Sequence, residues 1–332
     1  MNLDVGSLFA GVGGICLGFK KAGYNVVWAN EFDKFAQKTY KANFPDVELN
    51  PKDIRKLSKK EIPQFEILTA GFPCQAFSIA GYQNGFDDER GNLFFEIKRI
   101  IEIMNSKPKI LILENVKNLE SHDNGNTFKV IKEVLKYLGY SIKYKILNTL
   151  EYANIPQNRE RIFIIGFLNE DIANKFEFPE KIDLNKNIHD VINIEEKKPN
   201  KYYYKQNSKY FKMLKEKFDN KNTVYQIRRV YVRKNKSNVC PTLTANMGTG
   251  GHNVPIIKDK YGFRKLTPRE TFLFQGFDKN FILPDEVSDT QLYKQAGNTV
   301  TVTIIKRIAK KIKKALKETD SKFIIDKKVK VK

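Results

Sequence analysis

Cys74 lies in a segment whose composition suits a reactive thiol. The segment GFPCQAFS occupies residues 71–78 and directly follows an apolar, strand-like run that ends at Ala70. A turn at the end of a strand can present a side chain to a cleft, and a thiolate attacks carbon when nearby positive charge lowers its pKa. A free cysteine is more often a small buried hydrophobe, which is the alternative. The place of Cys74 at a strand end favours a nucleophile.

A carboxylate and two arginines flank other apolar runs. Glu114 ends one such run, and QNRER at 157–161 comes immediately before another. A carboxyl group in a dry pocket keeps its proton to higher pH and can act as a general acid. Arg159 and Arg161 alternate by two, so they can project to one face and hold an acceptor oxygen and the thiolate region. A surface ion pair with Glu160 is the alternative for the arginines.

A glycine-rich turn at residues 9–14 (FAGVGG) follows a strand-like run and opens a helix-like one. Glycines let a backbone approach a ligand closely, and a helix N-terminus favours negative charge. Glu31 comes about 20 residues later at the end of the next strand, where a carboxylate can bind ribose hydroxyls. A dinucleotide-binding pattern would need a third glycine where Cys16 stands. The adjacent Gly13 and Gly14 favour a methionine–adenosine cofactor over a pyrophosphate.

Cysteine and histidine spacing indicates neither a disulfide framework nor a metal site. The three cysteines (Cys16, Cys74 and Cys240) are far apart, and the three histidines lack metal-ligand spacing. The first residues lack a basic region followed by an apolar one, and no run approaches about 18 consecutive apolar residues. We therefore expect a cytoplasmic protein without metal or membrane span.

The formal net charge of +21 predicts a polyanionic partner. Basic side chains that neutralise phosphates release counterions, which favours nucleic acid. Part of the lysine content can instead reflect A/T-rich codons. A membrane surface is disfavoured because the lysines are scattered along the chain.

Strand-like and helix-like segments alternate through the first half of the chain. This alternation predicts an α/β fold with a doubly wound, mostly parallel sheet, whose ligand lies at the carboxyl ends of the strands. The predicted strands are 3–9, 25–29, 65–70, 110–114 and 162–167, and the predicted helices include 14–22, 94–104 and 127–138.

The pattern changes after about residue 190. Residues 197–238 are basic and aromatic and include the pair Arg228 and Arg229, and residues 246–253 (NMGTGGHN) are rich in glycine. Basic residues can hold phosphates and a glycine-rich loop can enter a groove, although a plain hairpin connection is the alternative for the loop. We predict a separate, smaller domain at 191–270.

Apolar residues recur at helical spacing near the C-terminus, at 304, 305, 308, 312 and 316. They predict a helix that packs back on the first domain, followed by a frayed basic tail at 327–332. The predicted catalytic and cofactor-binding domain is 1–190 plus 292–332, and residues 271–291 are predicted to be a hinge region.

Taken together, these motifs resemble the cytosine-C5 DNA methyltransferase family, in its bacterial restriction–modification type. Nine motifs stand in family order over most of the chain, and CPTLT at 240–244 is similar to the Thr-Leu element of the family's target recognition domain. The nine are FAGVGG at 9–14, NEFD at 30–33, DI at 53–54, GFPCQAFS at 71–78, RGNLFFE at 90–96, ENV at 114–116, QNRER at 157–161, RKLTPRE at 264–270 and QAGNTV at 295–300.

The resemblance implies a class I S-adenosylmethionine-dependent fold, a target recognition domain in the smaller domain at 191–270 and a set of cofactor-binding residues, while the basic stretch and the glycine-rich loop supply most of the predicted DNA-binding residues. The chain is then a monomeric bacterial or phage-encoded enzyme that acts on double-stranded DNA. The implied S-adenosylmethionine residues are Phe9, Gly11, Gly13, Gly14, Glu31, Phe32, Asp53, Ile54, Pro73, Leu93, Asn298 and Val300. The predicted DNA-binding residues are Arg228, Arg229, Thr242, Leu243, Gly250 and Gly251.

The catalytic residues account for methylation of cytosine at carbon 5. Addition of the Cys74 thiolate to C6 turns C5 into a nucleophilic carbon, and a proton from Glu114 at N3 makes that addition easier. The target base must leave the duplex to be reached, and a loop at 79–91 can close over the DNA. A tRNA cytosine-C5 methyltransferase of the same fold is the alternative, but the short Cys-Phe-Thr element of the RNA members is missing.

Overall fold

The computed structural model describes residues 3–73, 93–228, 230–249 and 253–329, with side chains up to residue 319. Several predicted features lie outside the described residues. They are Cys74, the loop at 79–91, Arg229, Gly250 and Gly251.

A seven-stranded sheet with the order β3-β2-β1-β4-β5-β7-β6 organises the first half of the chain. Strands β3, β2, β1, β4 and β5 are parallel, whereas β7 runs antiparallel to both β5 and β6. The strands are β1 Asp4–Leu8, β2 Asn25–Asn30, β3 Glu48–Asn50, β4 Ile67–Gly71, β5 Ile110–Val116, β6 Ser141–Asn148 and β7 Glu160–Phe167. The helices beside it are α1 Gly14–Lys21, α2 Lys34–Asn43, α3 Leu93–Ile103, α4 Asn126–Tyr137, α5 Thr149–Tyr152 and α6 Glu170–Lys175.

The central strands are apolar throughout because the sheet is covered on both faces. In β5, Ile110 and Ile112 belong to the core on one face, while Leu111 and Leu113 belong to the core on the other. All four are fully buried. Successive side chains of a strand point to opposite faces, so a strand buried on both sides needs a continuous apolar run. This arrangement confirms the predicted doubly wound α/β fold.

The direction of β7 is the main difference from the predicted arrangement, which did not foresee an antiparallel strand beside β5. Arg161 near the start of β7 lies opposite Val116 at the end of β5. The amino end of β7 therefore lies at the same edge of the sheet as the carboxyl ends of the parallel strands.

The second sheet is small and antiparallel, with the order β11-β10-β8-β9. It surrounds its own apolar cluster, which contains Leu214, Tyr225, Ile227, Ile256 and Phe263. Its elements are α7 Lys209–Lys217, β8 Tyr225–Arg228, β9 Tyr231–Lys234, β10 Ile256–Asp259 and β11 Gly262–Lys265. The loss of strand–helix alternation after residue 190 agrees with this sheet, while the exact division into domains stays a prediction.

The remaining helices are α8 Pro268–Phe274, α9 Asp289–Asn298 and α10 Val302–Val329. In the predicted hinge, Phe272 and Phe274 are fully buried in the same core cluster as α1. The predicted C-terminal helix is confirmed, since Ile305 packs on Gly18 of α1 so closely that a Cβ at Gly18 would overlap it. Residues 327–329 belong to this helix, where a frayed tail was predicted, and the rest of the predicted tail lies outside the described residues.

Across the part of the chain that the structure describes, no helix is both long enough and apolar enough to cross a membrane.

Candidate active site

A cleft of about 800 Å³ lies at the carboxyl ends of β1, β2, β4 and β5. Every predicted cofactor residue except Gly13 lines it, and so do Glu114, Arg159 and Arg161. The position agrees with the rule that ligands of doubly wound sheets bind beyond the carboxyl ends of the strands. Its volume lies within the range of roughly 300–1,000 Å³ that is typical of ligand pockets.

The glycines of the first turn serve two different purposes. Gly11 has a positive φ of 56°, and a Cβ built there would meet nothing within 4 Å. It therefore leaves room for a ligand in the cleft. A Cβ at Gly13 would overlap the Phe44 ring, and one at Gly14 would overlap the Thr299 hydroxyl. These two glycines permit close packing within the protein, which sequence spacing alone could not distinguish from ligand contact.

Glu31 holds the two loops at the edge of the cleft. Its Oε2 accepts a hydrogen bond from the Gly11 amide at 2.8 Å, and its Oε1 accepts one from the Asp33 amide at 2.8 Å. Burial raises the pKa of this carboxyl group, against the effect of these amides. The neighbouring Phe32 is 68% exposed, so a large apolar ring beside Glu31 lacks cover. An aromatic ligand bound in the cleft can cover the Phe32 ring.

Glu114 and Arg161 form an ion pair at the end of β5. Arg161 Nε lies 3.2 Å from Glu114 Oε1, and both side chains are largely buried. Burial raises the pKa of Glu114, while Arg161 and Arg159 oppose that change. The direction is the one that a general acid requires. Glu160 pairs with Lys117 instead, so the alternative of a surface pair between Glu160 and the arginines does not apply.

Arg159 is 2% exposed, and its two Nη groups are bonded to backbone oxygen atoms, while its Nε has no partner among the described residues. Its guanidinium group donates to the carbonyls of Leu243, Gly297 and Thr299. Carbonyl acceptors replace water around the buried charge. The expected contacts of Arg159 and Arg161 with the base and the thiolate region stay predictions, and both side chains line the cleft.

Neither described thiol suits nucleophilic attack. Cys16 and Cys240 are both buried, and burial raises the pKa of each. A thiol that resists ionisation is a poor nucleophile because the thiolate is the reactive form. Pro73 lines the cleft, and the next residue along the chain is Cys74, which lies outside the described residues.

Asn115 is a site residue for which the sequence predicted no role. Its Nδ2 donates to the Phe72 carbonyl at 2.9 Å. This bond ties the end of β5 to the turn that precedes Cys74. Lys294, which pairs with Asp33, and Gln295 also line the cleft without having been predicted. Asn115 is part of the motif ENV at 114–116. Its role could not be predicted from that motif, because its bond to Phe72 depends on how neighbouring strands lie side by side.

The predicted DNA-binding residues have varied surroundings. Arg228 donates to Gln226 at 3.0 Å and is half-buried. Thr242 donates its hydroxyl to the Asn158 carbonyl, and Leu243 is 1% exposed. Because the side chain of Leu243 is buried, its interacting group is the backbone carbonyl, which accepts a hydrogen bond from Arg159. DNA contact by all six residues stays a prediction.

Within the described ranges, no group of three or more His, Cys, Asp or Glu residues could hold a metal ion.

Solved structures identify the class of the fold. The S. pombe Dnmt2 methyltransferase has a TM-score of 0.71 at 20% identity, and the match covers 95% of this chain and 99% of that chain. The Entamoeba histolytica methyltransferase EhMeth has a TM-score of 0.73 at 20% identity, with 95% and 99% covered. At such identities the likeness shows the fold alone. It is the class I S-adenosylmethionine-dependent methyltransferase fold.

Sequence comparison then identifies the family. The model of the C-5 cytosine-specific DNA methylases matches residues 3–314. Type II methyltransferase M.Bsp6I of Bacillus sp. (strain RFL6) is 54% identical over 317 residues, covering 95% of this chain and 99% of the relative. Type II methyltransferase M.HhaI of Haemophilus parahaemolyticus is 38% identical over 323 residues, covering 93% and 94%. The chain belongs to the C-5 cytosine-specific DNA methylase family, and it is a DNA (cytosine-5-)-methyltransferase.

Proposed function

We propose that this methyltransferase uses S-adenosylmethionine to modify cytosine within a short specific site of double-stranded DNA, as the modification enzyme of a restriction–modification system. The observation that carries the proposal is the Glu114–Arg161 pair, which lines the same cleft as Pro73, directly before Cys74. The similarity to Type II methyltransferases supports the role in modification. It also favours DNA over the tRNA alternative.

The residues of the cleft fit S-adenosylmethionine. Gly11 leaves open space above the turn, and Glu31 lies beside it with a carboxylate that can accept ribose hydroxyls. Asp53 and Ile54 line the same cleft as the exposed Phe32, and these residues can contact an adenine ring. Asn298 and Val300 also line the cleft. When bound, the cofactor supplies an electrophilic methyl group.

The chain's own residues supply the rest of the chemistry. The Cys74 thiolate forms a bond to C6 of the flipped cytosine while Glu114 donates a proton to N3, so the ring gains electron density at C5. Arg161 holds the Glu114 carboxyl group and can donate to the base carbonyl. After C5 gains the methyl group, loss of the C5 proton expels the Cys74 thiolate, and N3 returns its proton to the Glu114 carboxylate, which restores the neutral aromatic ring. Water can serve as the base in that last step.

Bisulfite sequencing tests the proposed substrate. DNA from cells that express the protein should contain 5-methylcytosine at one short sequence, since a recognition domain reads base edges at fixed positions. RNA from the same cells should gain no methylated cytosine, and cells with an empty vector provide the control. Methylation confined to tRNA would reject the DNA site and support the alternative.

We expect Glu31→Ala to weaken S-adenosylmethionine binding by about 1–3 kcal/mol, the scale of lost hydrogen bonds to a charged group. The substitution removes the proposed ribose acceptor and also frees the Gly11 and Asp33 amides that Glu31 holds. Isothermal titration calorimetry measures the change, which corresponds to about five-fold to 150-fold in Kd. The exposed Glu48→Ala in β3 is the control. Unchanged affinity in Glu31→Ala would contradict the assignment.

A further inference from the structure

Arg159 connects two parts of the protein through one side chain. Nη1 donates to the Leu243 carbonyl at 2.7 Å, and Nη2 donates to the carbonyls of Gly297 and Thr299 at 3.1 and 2.6 Å. The guanidinium group is planar and rigid, so it fixes these carbonyls relative to one another. Leu243 belongs to the predicted recognition domain, whereas Gly297 and Thr299 line the cofactor cleft.

The recognition segment, defined here as residues 240–248, is also paired with the chain just before Arg159. The Cys240 amide donates to Pro156 at 2.7 Å, and the Asn158 amide donates to Cys240 at 2.8 Å. The Thr242 hydroxyl adds a bond of 2.7 Å to the Asn158 carbonyl. The recognition segment therefore follows any shift of the chain that carries Arg159.

The same segment packs on α9 without intervening side chains. A Cβ at Gly297 would overlap the Thr244 backbone, and a Cβ at Gly248 would overlap the Thr290 carbonyl. Such close packing transmits displacement because interiors have little free volume. Helix α9 ends at Asn298, and residues 297–300 form one wall of the cleft. The cleft wall and the recognition segment thus meet in one contact region, the joint, and Arg159 is hydrogen-bonded to both sides of it.

We propose that Arg159 is a positioning residue that couples occupancy of the cofactor cleft to the recognition segment, instead of contacting the flipped base. Its Nη groups are bonded to carbonyls on both sides of the joint. A cofactor that orders residues 297–300 also restrains the recognition segment, and DNA held by that segment favours the same arrangement of the wall. The coupling factor must be equal in both directions. This inference rests on the proposed S-adenosylmethionine site.

Hydrogen–deuterium exchange tests the coupling without DNA or catalysis. Adding S-adenosylmethionine to the wild-type protein should slow exchange of the Cys240 and Asn158 amides by about five-fold or more, the lower end of typical coupling. Arg159→Lys keeps the charge but loses the rigid fork. It should bind the cofactor and lose most of this protection. Equal protection in both proteins would overturn the proposal.

Two further variants separate coupling from general loss of stability. Arg307 also donates to two carbonyls, those of Tyr152 and Glu180, but it does not line the cleft. Arg307→Lys should therefore keep the full protection. If Arg159→Lys fails to fold, Thr242→Val provides the test, since it removes one bond of the joint and should reduce the protection in part. Full protection in Thr242→Val would then contradict the coupling.

Calorimetry with DNA gives the second measurement. The Kd of S-adenosylmethionine is compared with and without a duplex that carries the site identified by bisulfite sequencing. Wild-type protein should bind the cofactor about five-fold or more tightly with the duplex, and Arg159→Lys should show little difference. A variant that keeps the wild-type ratio but loses kcat would indicate base contact and overturn the proposal. A wild-type protein that binds no S-adenosylmethionine would reject the proposed cofactor itself, and the coupling with it.

Discussion

Cys74→Ser is expected to lower methyl transfer by about 10³-fold or more while leaving DNA affinity nearly unchanged, as is usual when a nucleophile is removed. A cysteine is partly ionised near neutral pH, whereas a serine hydroxyl requires a strong adjacent base. Among the described residues, the thiols of Cys16 and Cys240 are buried with raised pKa, so neither can replace Cys74. Incorporation of labelled methyl groups into DNA measures the activity, and a gel-shift titration measures the affinity.

A covalent trap identifies the attacking atom directly. DNA that contains 5-fluorocytosine should form a stable adduct, because fluorine at C5 cannot leave as a proton does. Mass spectrometry should locate that adduct on Cys74. Cys16→Ala is the matched control, since Cys16 lies outside the cleft lining and should keep its activity. An adduct on Cys16 or Cys240 would show that the assignment is incorrect.

Glu114→Gln should lower kcat by about 10²–10⁴-fold, the usual contribution of a positioned general acid. Glutamine preserves the size of the side chain and can still donate a hydrogen bond, but it cannot transfer a proton to N3. Single-turnover kinetics on saturated enzyme isolates the chemical step. Glu160→Gln is the control, because Glu160 precedes Arg161 in the chain but pairs with Lys117 outside the cleft. Equal rates for Glu114→Gln and wild type would exclude the proposed role.

The pH dependence gives a second test of Glu114. Burial raises its pKa, so the carboxyl group keeps its proton to higher pH than an exposed glutamate does. The protonated form is active, and the wild-type kcat should therefore fall as pH rises through that raised pKa. Glu114→Gln has no such proton, and its residual rate should show no fall in that range. A wild-type profile that rises steadily with pH would contradict general acid catalysis by Glu114.

The elements of the large sheet could be predicted because the burial of each strand is reflected in a local run of apolar residues. A strand covered on both faces needs an uninterrupted apolar run. Strand β5, Ile110–Val116, has such a run from its first residue to the residue before Glu114. The turn before α1 could be recognised from its glycines, since a residue with a positive φ, as at Gly11, is usually glycine. Glu31 was recognisable from its place at the next strand end. Each of these signals lies within a few residues of the feature it predicts.

Other roles depended on contacts between distant segments. Gly13 and Gly14 are glycines because Phe44 and Thr299 pack against them, and neither partner is adjacent in sequence. Arg159 and Arg161 are two residues apart, which is the spacing of side chains on one face of a strand. The partners of Arg159 nevertheless include Leu243, which is 84 residues away. The small sheet could be expected only as a break in the pattern, since its short antiparallel strands have no long apolar runs.

The sequence by itself determined the fold class, the family and the chemical types present in the cleft, because motif order and two-sided burial are local properties of the chain. Only the tertiary structure decided how those groups meet. A strand's direction depends on its neighbours, and the antiparallel β7 brings Arg161 opposite Val116, within reach of Glu114. Had β7 been parallel, its amino end would lie at the far edge of the sheet. The same long-range packing places Arg159 against the carbonyls of Leu243, Gly297 and Thr299, which are distant from it in sequence.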